Sequence, residues 1–210
     1  MGEEIPRGRP QVSSREMLQD AAFELFLENS YARTTVEQIT QRAGVSRATF
    51  FNYFPTKSDV FWVELDRALD RLGAELHATT ERGSAIDNVT ALEAVLDAIL
   101  AVGSEFGPDR VPFALTQHEL VGSIHDLQAS ALTRFTHQAE IVTRFLSQHG
   151  LDPATAQAAA YACLAATIAG AQTWASAGTV RGTLEPYLRD AVGPVITGFH
   201  SRGKALKTTP

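Results

Sequence analysis

The chain has 210 residues, 44% hydrophobic and 20% charged, with a formal net charge of −6. That length can bury a core without disulfide staples, and that charge balance argues against a protein that coats nucleic acid indiscriminately. Cys163 is the only cysteine, which excludes an intrachain disulfide framework and a cysteine metal cluster and suits a reducing cytoplasm.

Apolar residues recur at helical spacing along almost the whole chain, and no stretch alternates with period two. The expectation is an all-α protein of about nine helices. Residues 1–11 are polar, contain two prolines and lack the apolar core of a secretory signal, so they read as a flexible arm. Helix 1, Val12 to Asn29, carries the stripe Leu18, Ala21, Ala22, Leu25 and Phe26. Thr34 or Thr35 caps helix 2, with Glu37 or Gln38 three residues on as the other half of a capping box. Gly44 ends helix 2, Ser46 caps helix 3, and helix 3 stops before Pro55. Thr56 with Asp59 opens helix 4, which continues to about Thr80. Helices 5, 6 and 7 are expected at Asp87–Glu105, Pro112–Val121 and Ile124–Gln148. Helix 8 starts at Asp152-Pro153, a cap followed by proline at the first helical position. Helix 9 runs from Thr183 to about His200, interrupted at Gly193-Pro194, and residues 203–210 form a flexible tail. No charged residue lies between Asp152 and Arg181, but the segment is mostly Ala, Thr, Gln, Ser and Gly. It is too weakly apolar for lipid and reads as a buried helix, with no membrane partner.

Val36, Ile39, Ala43, Val45 and Phe50 can pack on the helix 1 stripe, making residues 12–56 a helix-turn-helix unit. Helix 3 is too short to stand alone, so Phe50 and Phe54 are expected to anchor it inward. Phe51 and Tyr53 fall on other faces, where a large ring beside a phosphate or a thymine methyl has a use. Arg47 suits guanine, Asn52 suits adenine, and Ala48 or the Thr49 methyl suits a thymine methyl. From Asn29 to Lys57 four basic residues face Glu37 alone, a net +3 that leaves −9 for the rest of the chain. Residues 57–202 then form an acidic helical body.

The stretch TTVEQITQRAGVSRATFFNYFPTKSDVF, Thr34 to Phe61, resembles the signature of the tetracycline-repressor-like (TetR) family of bacterial regulators, over about Arg15 to Val60. The resemblance implies phosphate contacts from Thr35, Thr49, Tyr53 and Lys57 and base contacts from Arg47, Ala48 and Asn52, with Ser46 and Phe51 in the same surface. Phe51 stands where the family commonly has tyrosine, losing a phenol donor; Tyr53 stands where it often has histidine and can restore one.

The resemblance further implies double-stranded operator DNA as partner, a homodimer on a near-palindromic site, and a small-molecule effector. Along helix 8, Cys163, Thr167, Gly170 and Trp174 form a seam of small residues with one large anchor, and helix 9 offers Leu184, Leu188, Val192, Val195, Ile196 and Phe199. These are the dimer candidates, the alternative being that the helix 8 seam faces the core. Phe113, Gln117, Leu120, His137, Tyr161, Leu164, Ile168 and Gln172 are candidates to line an effector cavity. Their apolar bias points to a hydrophobic or amphipathic ligand. His118 with His125, or His137 with Glu140, lacks a third metal ligand, so no metal and no cofactor are expected. No catalytic motif is present in the sequence. A carrier or enzyme retaining a non-specific DNA-binding unit is the rival reading. Effector binding is expected to oppose DNA binding through helix 4.

Overall fold

The computed structural model describes residues 14–81, 87–109, 111–116 and 125–205. These form nine α-helices and no strand: α1 (Ser14–Asn29), α2 (Val36–Ala43), α3 (Arg47–Tyr53), α4 (Val63–Glu81), α5 (Asn88–Gly103), α6 (Phe113–Thr116), α7 (His125–Gln148), α8 (Pro153–Ser176) and α9 (Glu185–Ala205). Two 3-10 helices, Lys57–Trp62 and Gly178–Val180, precede α4 and α9. The expected arm at residues 1–11, the expected sixth helix beyond Thr116 and the last five residues of the tail lie outside the described residues. The chain divides into two compact units, the first ending at Phe61.

In the first unit, α1 buries the expected stripe of Leu18, Ala21, Ala22, Leu25 and Phe26. Phe26 stacks on Phe61 with ring centroids 5.2 Å apart, and Tyr31 packs against both rings. Gln19 Nε2 donates to the Val60 carbonyl at 3.1 Å. These contacts fasten residues 57–61 to α1, so the unit extends five residues past the expected boundary at Thr56. The start of helix 4 is likewise a tighter 3-10 turn. Ser58, Val60, Phe61, Trp62 and Val63 are all buried, which the single inward face of a surface α-helix does not accommodate. The cap itself is as expected, with Thr56 N and Oγ1 each donating to Asp59 Oδ2 at 2.8 Å.

In the second unit, α8 packs against α6, α7 and α9, α9 also against α5, and α4 against α5 and α7. Asp152 caps α8 by accepting from Thr155 N at 3.0 Å, with proline in its first turn. By length and composition α8 could cross a membrane, and here its small-residue stripe is core. Cys163, Gly170 and Trp174 are buried, and Trp174 Nε1 donates to the Gly182 carbonyl at 3.0 Å. A Cβ on Gly170 would lie 2.8 Å from the Tyr187 carbonyl oxygen, so glycine permits the close approach of α8 and α9. A part-buried ion pair ties α7 to α4. Arg134 on α7 grips Asp66 on α4 through Nε–Oδ1 at 2.6 Å and Nη2–Oδ2 at 3.0 Å, its guanidinium 5.1 Å from the Trp62 ring centre.

This packing already covers most of the dimer candidates within one chain. Cys163, Gly170 and Trp174 on α8, and Leu184, Leu188, Val192 and Ile196, are buried within one chain, while Thr167, Val195 and Phe199 are half-buried. The two stripes face each other, and that of α9 also meets α5. The expected break at Gly193-Pro194 is also absent: α9 runs through Pro194. That proline is exposed, and the buried stripe on the opposite side keeps the helix continuous despite the lost hydrogen bond.

Burial pushes the Cys163 thiol up to about 12, so the thiolate that reacts is scarce near neutral pH. The native protein should therefore resist a thiol-directed disulfide reagent at pH 8 and react stoichiometrically once unfolded; fast native labelling would contradict the buried placement. Gly170→Ala should lower stability by about 1–3 kcal/mol in urea unfolding, because a backbone carbonyl cannot step aside. Gly198→Ala in the same packing pair meets nothing within 4 Å and should raise stability by up to about 1 kcal/mol.

Candidate nucleic-acid interface

Thr35, rather than Thr34, caps α2. Its Oγ1 accepts from Gln38 N at 3.2 Å while Gln38 Oε1 accepts from Thr35 N at 2.8 Å. Thr34 turns inward and donates to the carbonyls of Ser30 and Leu25 at 2.9 and 3.2 Å. Gly44 has φ of 68°, the left-handed turn that lets Val45 N reach the Thr40 carbonyl at 3.0 Å and swings the chain into α3. Ser46 caps α3, accepting from Thr49 N at 3.0 Å.

On α3 the aromatics divide as expected. Phe50 and Phe54 are buried at 0% and 1%, while Phe51 and Tyr53 are 44% and 43% exposed. Ser46, Arg47, Ala48 and Asn52 are exposed as well, with Thr49 half-buried. Thr35 is exposed at the start of α2. The first unit therefore places polar and aromatic side chains outward on a helix whose opposite side is fixed in the core.

The basic residues are less available than their count suggests. Arg42 spans Glu24 and Glu28 of α1, at 3.1 and 2.8 Å, and ties α2 to α1. Its hydrogen bond holds the Glu28 carboxyl below the usual range. Lys57 is half-buried: its Nζ donates to the carbonyls of Tyr31 and Thr34 at 2.7 and 2.8 Å and lies 4.0 Å from the Tyr31 ring centre. It sits in the 3-10 turn rather than the first turn of an α-helix. Arg47 pairs with Glu37 of α2 and lies 5.4 Å from the Phe51 ring centre. Three further participants carry no local sequence signal. Tyr31 and Glu37 act through tertiary contacts, and Arg15, 5.8 Å from the Phe54 ring centre, places a cation behind α3.

The effector candidates do not gather in the same way. Gln117 and Leu120 lie outside the described residues. Leu164 is core, Phe113 is half-buried, and His137, Tyr161 and Ile168 are exposed. Gln172 lines an open depression of about 700 Å³ with Leu115, Ala169, Thr173, Ser176 and Ala177. Among the described residues no cluster of His, Cys, Asp or Glu could hold a metal ion.

Two short helices braced by a third, with base-reading side chain types outward on the second, define a helix-turn-helix DNA-binding protein. The family model for bacterial regulatory proteins of the tetR family matches residues 18–61, and that for the MftR C-terminal domain matches residues 89–200, more than half of the chain. The chain belongs to the tetR family of transcriptional regulators. It is 23% identical over 141 residues to MftR of Mycobacterium tuberculosis, a regulator named for mycofactocin biosynthesis, covering 67% of this chain and 68% of that protein. It is 33% identical over 72 residues to the Escherichia coli transcriptional repressor ComR, a match covering 34% of each chain. It is 34% identical over 88 residues to the M. tuberculosis regulator EthR, covering 40% of this chain and 41% of EthR. The fold is shared with NalD of Pseudomonas aeruginosa, at a TM-score of 0.57, 18% identity and coverage of 88% and 96%. It is shared also with Thermus thermophilus FadR in complex with lauroyl-CoA, at 0.55, 23% identity and coverage of 88% and 94%.

Lys57→Met keeps the stem and removes the donor from two carbonyls. It should lower stability by about 1–2 kcal/mol in urea unfolding. A variant as stable as the wild type would mean that water replaces the ammonium without loss.

Proposed function

We propose that the protein is a ligand-responsive repressor that binds a near-palindromic operator as a homodimer and is released by a small hydrophobic or amphipathic effector. The observation that carries the DNA half is the division of α3, with Phe50 and Phe54 buried and Arg47, Ala48, Asn52, Phe51 and Tyr53 exposed. Thr35, Ser46, Thr49 and Lys57 complete the contact set, the first three beside phosphates or bases and Lys57 chiefly by fixing the chain that leads into α2. One such unit reads only a few base pairs, so two copies on half-sites about one helical turn apart supply the needed specificity. Repression is favoured because ComR, FadR and NalD are named as repressors. The effector class agrees with the lauroyl-CoA of the FadR complex. Effector and operator would oppose each other reciprocally.

The dimer surface we assign differs from the stripe expected at first. The outward face of α8 carries Ala158, Tyr161, Ala165, Ile168 and Gln172, with no charged side chain, and Tyr161 and Ile168 are 39% and 44% exposed. Small residues around two larger ones suit close helix pairing with a second copy.

Three measurements test the proposal. Selection of bound duplexes from fragmented genomic DNA at near-physiological salt should recover an inverted repeat. Arg47→Ala should blur it and cost about 1–3 kcal/mol of binding; selection that recovers no shared sequence would reject the operator reading. Ile168→Glu should give monomers in sedimentation with unchanged helical content, and a dimer unaffected by the change would place the interface elsewhere. A ligand that saturates the protein without changing operator affinity would reject the coupling.

A further inference from the structure

The contact between Arg47 and Glu37 uses one nitrogen of the guanidinium. Nη1 donates to Glu37 Oε1, while Nε and Nη2 engage nothing among the described residues. The plane is supported from a second direction by Phe51, whose ring centre lies 5.4 Å from Cζ. Both side chains of the ion pair are more than half exposed, at 63% and 59%. Phe51 is in turn set edge-on against the buried Phe50 ring at 5.4 Å. An arginine on a helix surface would ordinarily sample many rotamers. Here a carboxylate on α2 holds one corner and an aromatic ring backs the plane, which leaves the Nε–Nη2 edge as a ready two-donor fork.

We infer that Glu37 is a positioning and specificity-determining residue for operator recognition: it holds Arg47 so that its Nε–Nη2 edge meets the O6 and N7 acceptors of a guanine. The inference rests on the helix-turn-helix reading above and adds to it a residue that no contact pattern along α3 would supply. Two consequences follow. A fork already oriented loses less side-chain freedom when it pairs with a base, so the correct site gains. An arginine held by a carboxylate is also less able to swing onto whichever phosphate is near, and the carboxylate repels that phosphate, so unrelated duplexes gain nothing. Phe51, which lacks the phenol expected at its position, has its use here as the platform for the guanidinium.

The test uses the full-length protein, the recovered operator and an unrelated duplex of equal length. Binding is measured for wild type, Glu37→Gln, Arg47→Ala and the double variant. Glu37→Gln should weaken operator binding by about three- to tenfold, a fraction of what a bidentate arginine–guanine pair provides. Binding to the unrelated duplex should stay the same or tighten, and preference for guanine at the contacted position should relax. In the Arg47→Ala background the same change should no longer weaken operator binding, because there is no fork left to hold. Equal tightening on both duplexes would reduce Glu37 to a negative charge. A loss that persists without Arg47 would mean that Glu37 reads the DNA itself, as an acceptor for a cytosine amino group. Either result overturns the inference while leaving the helix-turn-helix reading intact. Wild-type protein that does not distinguish the two duplexes would overturn both.

Discussion

A seven-residue helix has no stability of its own in water, because nucleation costs more than one turn of hydrogen bonds returns. α3 exists because Phe50 and Phe54 are buried on one side of it, Ser46 caps its start, and Pro55 follows its end. The outward side chains inherit their positions from that anchoring. Burying two large rings on so short a helix also fixes its rotation, and rotation decides which residues a DNA groove would meet. The glycine turn at Gly44 and the capping box at Thr35 serve the same end, setting where α2 stops and how α3 leaves it.

Three cations of the first unit are placed rather than spread. Arg42 spans two glutamates of α1, Lys57 holds two carbonyls and an aromatic face, and Arg47 is paired and stacked. Each therefore contributes to shape as well as to charge. Diffuse positive charge would favour any duplex and would depend steeply on salt. A few restrained cations on an acidic chain favour a surface that must fit before it binds, which is the physical requirement on a regulator that searches a genome.

The second unit solves a different problem. Helix α8 is rich in alanine, and small side chains let it approach α9 until Gly170 meets the backbone at Tyr187. Close approach compensates for the small apolar area each alanine can bury, since dispersion gains come from contact density. The same composition leaves the outward face of α8 without a charged side chain.

Sequence alone determined the elements and their punctuation. Caps, glycine turns and prolines act within a few residues, so the starts of α3 and α8, the end of α2 and the inward stripe of α1 were legible in it. The inward placement of Phe50 and Phe54 was legible too, because helical periodicity admits little else. Tertiary structure alone decided which stripe met which. The apolar face of α9 and the seam of α8 could have paired across a dimer or within one chain; alanine on every side of α8 gives no periodic contrast to choose between them. It also decided the partners of Lys57 and Arg47. Tyr31 and Thr34 lie 26 and 23 residues before Lys57, and Glu37 lies 10 before Arg47. Pairings of that kind depend on how α1, α2 and α3 pack together, and no spacing rule within a single helix encodes them.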